Sequence, residues 1–209
     1  MASRAYAGRS LLRAVLTLAA CSGLLLLHGC ATIKPQAPAP PPLDWEQRLP
    51  ALQAVTAFEL DGRLAATNGV DGFSAGLRWR QDHDTATLDL SAPLGFGAAH
   101  IEQSADDLKV TSSRGVTLQQ AAASEELAAT LGFEPPLRSL RYWVLGASDP
   151  TFASQETIDD QQRLTHLEQD GWQIDYEQYT AVGGQWLPQR LTVTRQSLRL
   201  KLVVNSWRL

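Results

Sequence analysis

The chain ends in alternation: Leu198, Leu200, Leu202 and Val204 are apolar, with Arg199 and Lys201 between them. A period of two puts such residues on one face of an extended strand, whereas a helix would scatter them around its circumference. The same pattern begins the folded part. Phe58, Leu60, Gly62, Leu64 and Ala66 alternate with Glu59, Asp61, Arg63 and Ala65, and Phe73, Ala75, Leu77 and Trp79 alternate with Ser74, Gly76, Arg78 and Arg80. Asn68-Gly69 and Asp71-Gly72 supply turn chemistry between these two runs. Shorter runs follow at Ala86, Leu88 and Leu90, at Ala99 and Ile101, at Leu108 and Val110, and at Val116 and Leu118. The pattern predicts an antiparallel meander with one apolar face.

The period then changes. Ala121 to Leu131 is rich in helix formers, with acids expected in its first turn and Gly132 as a stop, and Leu137, Leu140, Trp143 and Val144 fit a second short helix after Pro135-Pro136, ending at Gly146. Trp45 and Leu49 suggest another short helix before the first strand. Strand signals return from Arg163 to Glu168 and at Trp172, Ile174 and Tyr176, the two joined by Asp170-Gly171. A further strand, with Leu191 and Val193, follows Gly183-Gly184 and Leu187-Pro188. A flat sheet this wide would expose long edges. The expected fold is therefore mainly β (α+β), a single antiparallel, strongly curved, incomplete β-barrel with short helices covering or filling its concave side.

The first residues have a different purpose. Arg4, Arg9 and Arg13, without acids, precede an apolar run that ends in Leu27-His28-Gly29-Cys30, the layout of a bacterial export signal. The run falls short of the roughly 20 residues that a membrane-spanning helix needs. With Cys30 as the first residue kept, the segment resembles the lipobox of bacterial lipoproteins, which implies S-diacylglycerol and N-palmitoyl groups on Cys30. Leu18-Ala19-Ala20-Cys21 is a tidier local match, but cutting there leaves a short apolar core and strands Leu24 to Leu27 on the mature protein, so Cys21 is the alternative attachment point. The resulting division is a signal peptide at 1–29, an acylated N-terminus and tether at 30–50 and a folded domain at 51–209. Lys34 to Pro42 is proline-rich, favours extended backbone and spaces the domain from the membrane.

The charge narrows the partners. The 209-residue chain has 18 basic and 22 acidic residues, a formal charge of −4; losing Arg4, Arg9 and Arg13 with the leader leaves 15 against 22, or −7. No basic stripe interleaved with aromatics is present, so nucleic acid is not an expected partner. His83, His100 and His166 lack the spacing of a zinc site, no phosphate-cradling glycine loop occurs, and Asp106-Asp107 and Asp159-Asp160 read as solvated turns. No catalytic, metal or cofactor site is expected, and the chain is read as a non-enzyme and a monomer.

Two apolar features stand out. Trp79, Trp143, Trp172 and Trp207 fall on faces expected to point inward, where they either fill a core or line a cavity for acyl chains. The segment Ser91-Ala92-Pro93-Leu94-Gly95-Phe96-Gly97 has the composition of a loop tip, yet carries Leu94 and Phe96. Such a loop either folds back into the core or addresses something apolar.

Together these residues resemble the LolB family. The resemblance spans nearly the whole mature chain through Phe58-Glu59-Leu60-Asp61-Gly62-Arg63, the strand ending at Trp79, Pro93-Leu94-Gly95, and Leu131-Gly132. It continues through Leu140-Arg141-Tyr142-Trp143-Val144-Leu145-Gly146, Gly171-Trp172-Gln173-Ile174-Asp175-Tyr176, Leu187-Pro188 and Trp207. It implies an outer-membrane receptor that accepts acylated lipoprotein cargo from a LolA-like periplasmic carrier, shields the acyl chains in an apolar cavity and inserts the cargo into outer-membrane lipid without ATP. Leu94, with Phe96 two residues on, matches the family's protruding membrane-insertion loop. Ala31 stands where an aspartate would retain a lipoprotein at the inner membrane, and His28 departs from the usual lipobox. A membrane-anchored scaffold binding partners along its sheet edge, and a lipid hydrolase, are the alternatives.

Overall fold

The computed structural model describes residues 43–91, 98–105, 107–131 and 135–209; of residues 130 and 131 it describes the backbone. The leader, Cys21, Cys30, the tether, Leu94 and Phe96 lie outside these residues.

Helix α1 (Trp45–Gln53) precedes a run of six strands: β1 (Ala57–Thr67), β2 (Gly72–Asp82), β3 (Thr85–Ser91), β4 (Ala98–Gln103), β5 (Leu108–Ser112) and β6 (Thr117–Gln119). Helices α2 (Gln120–Leu131) and α3 (Leu137–Trp143) come next, then β7 (Ser154–Ile158), β8 (Leu164–Gln169), β9 (Trp172–Val182), β10 (Gln185–Arg195) and β11 (Leu198–Arg208). All eleven strands share one antiparallel sheet in the order β6-β5-β4-β3-β2-β1-β11-β10-β9-β8-β7. The pairings do not join β6 to β7, so the sheet stays open as an incomplete barrel, as the strand pattern predicts.

This order has a mechanical consequence. The first meander runs outward from the centre to β6, and the second must begin at the opposite edge, β7, and work back. The connection between them has to traverse the sheet, and α2 and α3 lie on it. They cover the concave face because the connection passes over it. Helix α2 packs against β5 and β6 through buried Ala123 and Leu127. Its start at Gln120 puts Glu125 and Glu126 beyond the first turn, where acids were expected.

Alternation accounts for the buried face. In β2, Ala75, Leu77, Trp79 and Gln81 are buried while Ser74, Arg78 and Arg80 are exposed. The opposite face carries cross-strand ion pairs. Glu59 on β1 stands between Arg80 of β2, 2.7 Å away, and Arg208 of β11, 2.6 Å away. The hydrogen bond from Arg80 and the two positive charges hold its carboxyl below the usual carboxylate range.

The two meanders join at β1 and β11, where the register shifts between Asp61 and Gly62. A Cβ on Gly62 would lie 2.4 Å from the Val203 carbonyl oxygen, so the bulge brings two backbones closer than any side chain permits.

Two elements depart from the sequence pattern. Strand β7 was not anticipated: it is an edge strand with almost every residue exposed, so it has no apolar alternation to read. Leu187-Pro188, expected before its strand, lies inside β10, where the register against β9 shifts after Pro188. A bulge tolerates proline because no ladder N–H is required there.

Replacing Gly62 by alanine should lower unfolding free energy by roughly 1–3 kcal/mol, the usual cost of overpacking. Urea denaturation of the purified protein checks this, and an unchanged midpoint would contradict the close approach.

Candidate functional site

The concave face meets α3 around a cavity of about 70 Å³. Its lining is wholly apolar. The central strands contribute Leu64 from β1, Leu77 and Trp79 from β2, Leu88 and Leu90 from β3, and Ile101 from β4. Leu191 and Val193 come from β10, Leu200 and Leu202 from β11, and Pro135, Leu137, Leu140 and Val144 close it from the helical side. Preformed ligand pockets occupy roughly 300–1,000 Å³. The cavity is smaller than that, and the α3 residues Leu137 and Leu140 are among those that line it.

The C-terminal end of α3 is firmly held. Gly146 adopts φ +78°, the Gly146 N–H donates to the Trp143 carbonyl at 3.0 Å and the Ala147 N–H to that of Tyr142 at 3.1 Å, a helix stop that depends on glycine. Beneath it, Gln169 of β8 takes part in four hydrogen bonds. Its Oε1 accepts from Trp143 Nε1 at 2.8 Å and from the Asp149 N–H at 2.9 Å; its Nε2 donates to the carbonyls of Asp149 at 2.9 Å and Phe152 at 3.0 Å. Ser139 Oγ, on α3, donates to Asp149 Oδ2 at 2.8 Å. The Tyr176 hydroxyl donates to the Trp143 carbonyl at 3.0 Å, and burial pushes its pKa well up, keeping it a neutral donor. Gln169, Ser139 and Asp149 are all buried, so the network replaces lost water contacts.

The N-terminal half of α3 is held as well, since buried Ser139, between Leu137 and Leu140, is the group bonded to Asp149. Pro136 at its cap makes no side-chain capping bond, and Arg138, on the exposed side, donates to the Ala105 carbonyl. The cavity residues Leu137 and Leu140 lie toward this end.

The concave face is also unevenly covered along β1 to β3. Leu60, Trp79 and Leu88 are buried, whereas Leu64, Phe73 and Leu90, further along the same strands, are half-buried. The less covered part lies toward the strand ends that residues 92–97 connect, because Ser91 and Ala98 pair at that end.

The four tryptophans singled out in the sequence fall into two groups. Trp79 lines the cavity, and its ring is 5.6 Å from that of Phe58, which is 5.7 Å from Trp207. Trp207, half-buried, donates to the Pro188 carbonyl at 3.0 Å. Trp143 and Trp172 form a separate pair 6.0 Å apart, with Trp143 bound to Gln169. The cavity wall is otherwise aliphatic. Its residues were visible as period-two positions, but periodicity does not tell which inward residues border empty space.

Helix α1 closes the other half of the sheet. Leu52 is fully buried, Trp45 Nε1 donates to Glu156 Oε2 at 2.8 Å, and buried Arg48 donates to the Trp186 carbonyl. Among the described residues, each histidine stands beside an aspartate: His83, in the β2–β3 turn, by Asp82, His100 by Asp89 and His166 by Asp175, all at 2.7 Å. Asp175 raises the His166 pKa by hydrogen bonding to the charged ring. Among the described residues, no group of three or more His, Cys, Asp or Glu is placed to hold a metal ion, and no helix is long and apolar enough to cross a membrane.

An open antiparallel half-barrel with an apolar, helix-covered concavity defines a class of protein built to shelter an apolar ligand. The family model described as outer membrane lipoprotein LolB matches residues 56–207, and the chain belongs to that family. Outer-membrane lipoprotein LolB of Pseudomonas paraeruginosa is 36% identical over 194 residues, covering 90% of this chain and 93% of the relative. That of Marinomonas sp. is 30% identical over 192 residues, covering 91% and 96%. In fold, the chain is similar to a LolA superfamily protein from Nitrosomonas europaea at TM-score 0.50 and 9% identity, covering 80% of this chain and 94% of that one. A DUF1329 family protein from Desulfovibrio piger matches at TM-score 0.52 and 8% identity, covering 78% and 90%. The chain is accordingly an outer-membrane lipoprotein of the lipoprotein-localisation machinery.

Replacing Gln169 by leucine orphans the Trp143 indole N–H and the Asp149 backbone. The expected cost is roughly 3 kcal/mol, from unsatisfied buried groups. Calorimetric melting checks this, and a change under about 1 kcal/mol would show that the network is not what anchors α3.

Proposed function

We propose that the protein receives acylated lipoproteins from a LolA-like periplasmic carrier, holds their acyl chains against its concave face beneath α3, and releases them into the outer membrane. The observation that carries this is the wholly apolar cavity between the sheet and α3. Each buried methylene is worth about 0.8 kcal/mol, so long acyl chains do not cross water unaided. A cavity of about 70 Å³ must enlarge to admit them. The contacts that Leu137, Leu140 and Val144 make across the cavity are apolar, and acyl chains replace them as α3 moves off the sheet.

Transfer requires no nucleotide if affinity rises from carrier to cavity to bilayer, since each step then runs downhill. Cys30, carrying S-diacylglycerol and N-palmitoyl groups, anchors the chain at the membrane, and the proline-rich segment gives the domain reach. Leu94, with Phe96 beside it, is the element that enters the bilayer during delivery. Of the aromatic candidates, Trp79 contacts cargo directly, while Trp143, Trp172 and Trp207 support the walls. No catalytic step, metal or cofactor is invoked.

Filling the cavity tests the binding step. Leu90→Trp should reduce binding of a triacylated peptide about tenfold or more while leaving circular dichroism unchanged, since the bulkier ring occupies ligand space. Equal binding of acylated and unacylated cargo by the wild type would overturn the receptor and favour a scaffold.

Delivery is tested separately. Leu94→Glu should leave cargo binding intact and slow transfer into liposomes, because a carboxylate resists entry into the apolar layer. Transfer at the wild-type rate would remove Leu94 from the mechanism.

A further inference from the structure

Val70 is 90% exposed and Val116 is 55% exposed, more than any other large apolar side chain among the described residues. Both sit at hairpin turns, where polar residues normally stand. Val70 occupies the β1–β2 turn and Val116 the β5–β6 turn. The antiparallel order places both turns at the same end of the sheet, and residues 92–97 join β3 to β4 at that end too. The three connections occur at every second strand gap. The β1–β2 and β5–β6 turns are therefore four strand spacings apart, about 19 Å.

The valines are held outward by their turns. Asn68 Oδ1 accepts from the N–H groups of Val70 at 2.9 Å and Asp71 at 2.8 Å, and the Asn68 N–H donates to the Asp71 carbonyl at 3.1 Å. In the other turn, the Ser112 N–H donates to the Val116 carbonyl at 2.9 Å, and the Ser113 N–H ties the turn to the Ala98 carbonyl at 2.8 Å. Exposure here therefore belongs to defined, hydrogen-bonded turns.

Charge distinguishes the two ends. The connections at the opposite end carry Asp84, Asp107, Asp159 and Asp160, of which Asp159 is paired with Arg163 and Asp84 with Arg141. At the valine end, Asp71 and Asp170 are offset by Arg114, beside Val116, and by Arg199 close to the β10–β11 turn. The acids Asp107 and Asp160 leave the first end the more acidic, so an anionic lipid surface favours the second.

We propose that this end of the sheet is a bilayer-docking rim, with Val70 and Val116 entering the headgroup region and Arg114 meeting lipid phosphate. Separate apolar tips about 19 Å apart suit a fluid interface, which needs no matching groove. The rim rests on the proposed delivery function and extends it. Several fixed contacts would set the angle at which the less covered part of the concave face meets the membrane, which Leu94 alone would not.

The test uses the full acylated protein in vesicles of phosphatidylethanolamine and phosphatidylglycerol. Val70→Cys, Val116→Cys and, at the opposite end, Asp84→Cys each receive an environment-sensitive fluorophore, and spin-labelled lipid serves as quencher. Blue-shifted, quenched emission is expected from the Val70 and Val116 variants but not from the Asp84 variant. Equal quenching at all three positions, or none at the valines, would overturn the rim. Valine-specific quenching in a protein that fails to bind triacylated peptide would uphold the rim and defeat the receptor instead.

Discussion

The structure depends on the pairing of β1 with β11. Joining the first and last strands of the domain at the centre of the sheet leaves the two meanders growing outward in opposite directions. The chain must then cross from one edge to the other. The crossing supplies the cover for the apolar face, so cavity and lid both follow from one strand pairing. Gly62 makes that pairing possible, because the bulge brings the Val203 carbonyl to within 2.4 Å of where a Cβ would stand.

Directional and nondirectional contacts together hold α3 on the sheet. Buried polar groups that have lost water require replacement partners, and Gln169 provides them at the C-terminal end of α3 through four bonds. The cavity side of α3 contributes Leu137, Leu140 and Val144, whose contacts with the sheet are nondirectional. An acyl chain offers the same kind of surface and can replace them. Exchange of one apolar contact for another costs little, which suits the proposed release of cargo.

Much of this fold is legible in residue order. Alternation at Phe58 to Ala66, Phe73 to Trp79 and Leu198 to Val204 identifies strands and their inward faces, and Gly146 marks the end of α3. Strand β7 escapes because an exposed edge strand has no buried side for periodicity to reveal. Pro188 misleads because proline ordinarily ends a strand, and only the partner strand shows that a bulge accommodates it. Among the aromatics, Trp79 and Trp143 satisfy the same pattern. Yet one borders the cavity while the other packs on Trp172 and binds Gln169.

The sequence by itself determined the strands, their apolar faces, the position of the helical crossing and the likeness to LolB proteins, because these are set by local period and by motif order. Tertiary structure decided which inward residues meet empty space, how α3 is pinned, and that Val70 and Val116 share one end of the sheet. Those properties arise between residues distant in sequence. Gln169 meets Trp143 across 26 positions, and the two valine turns align only once the sheet is assembled.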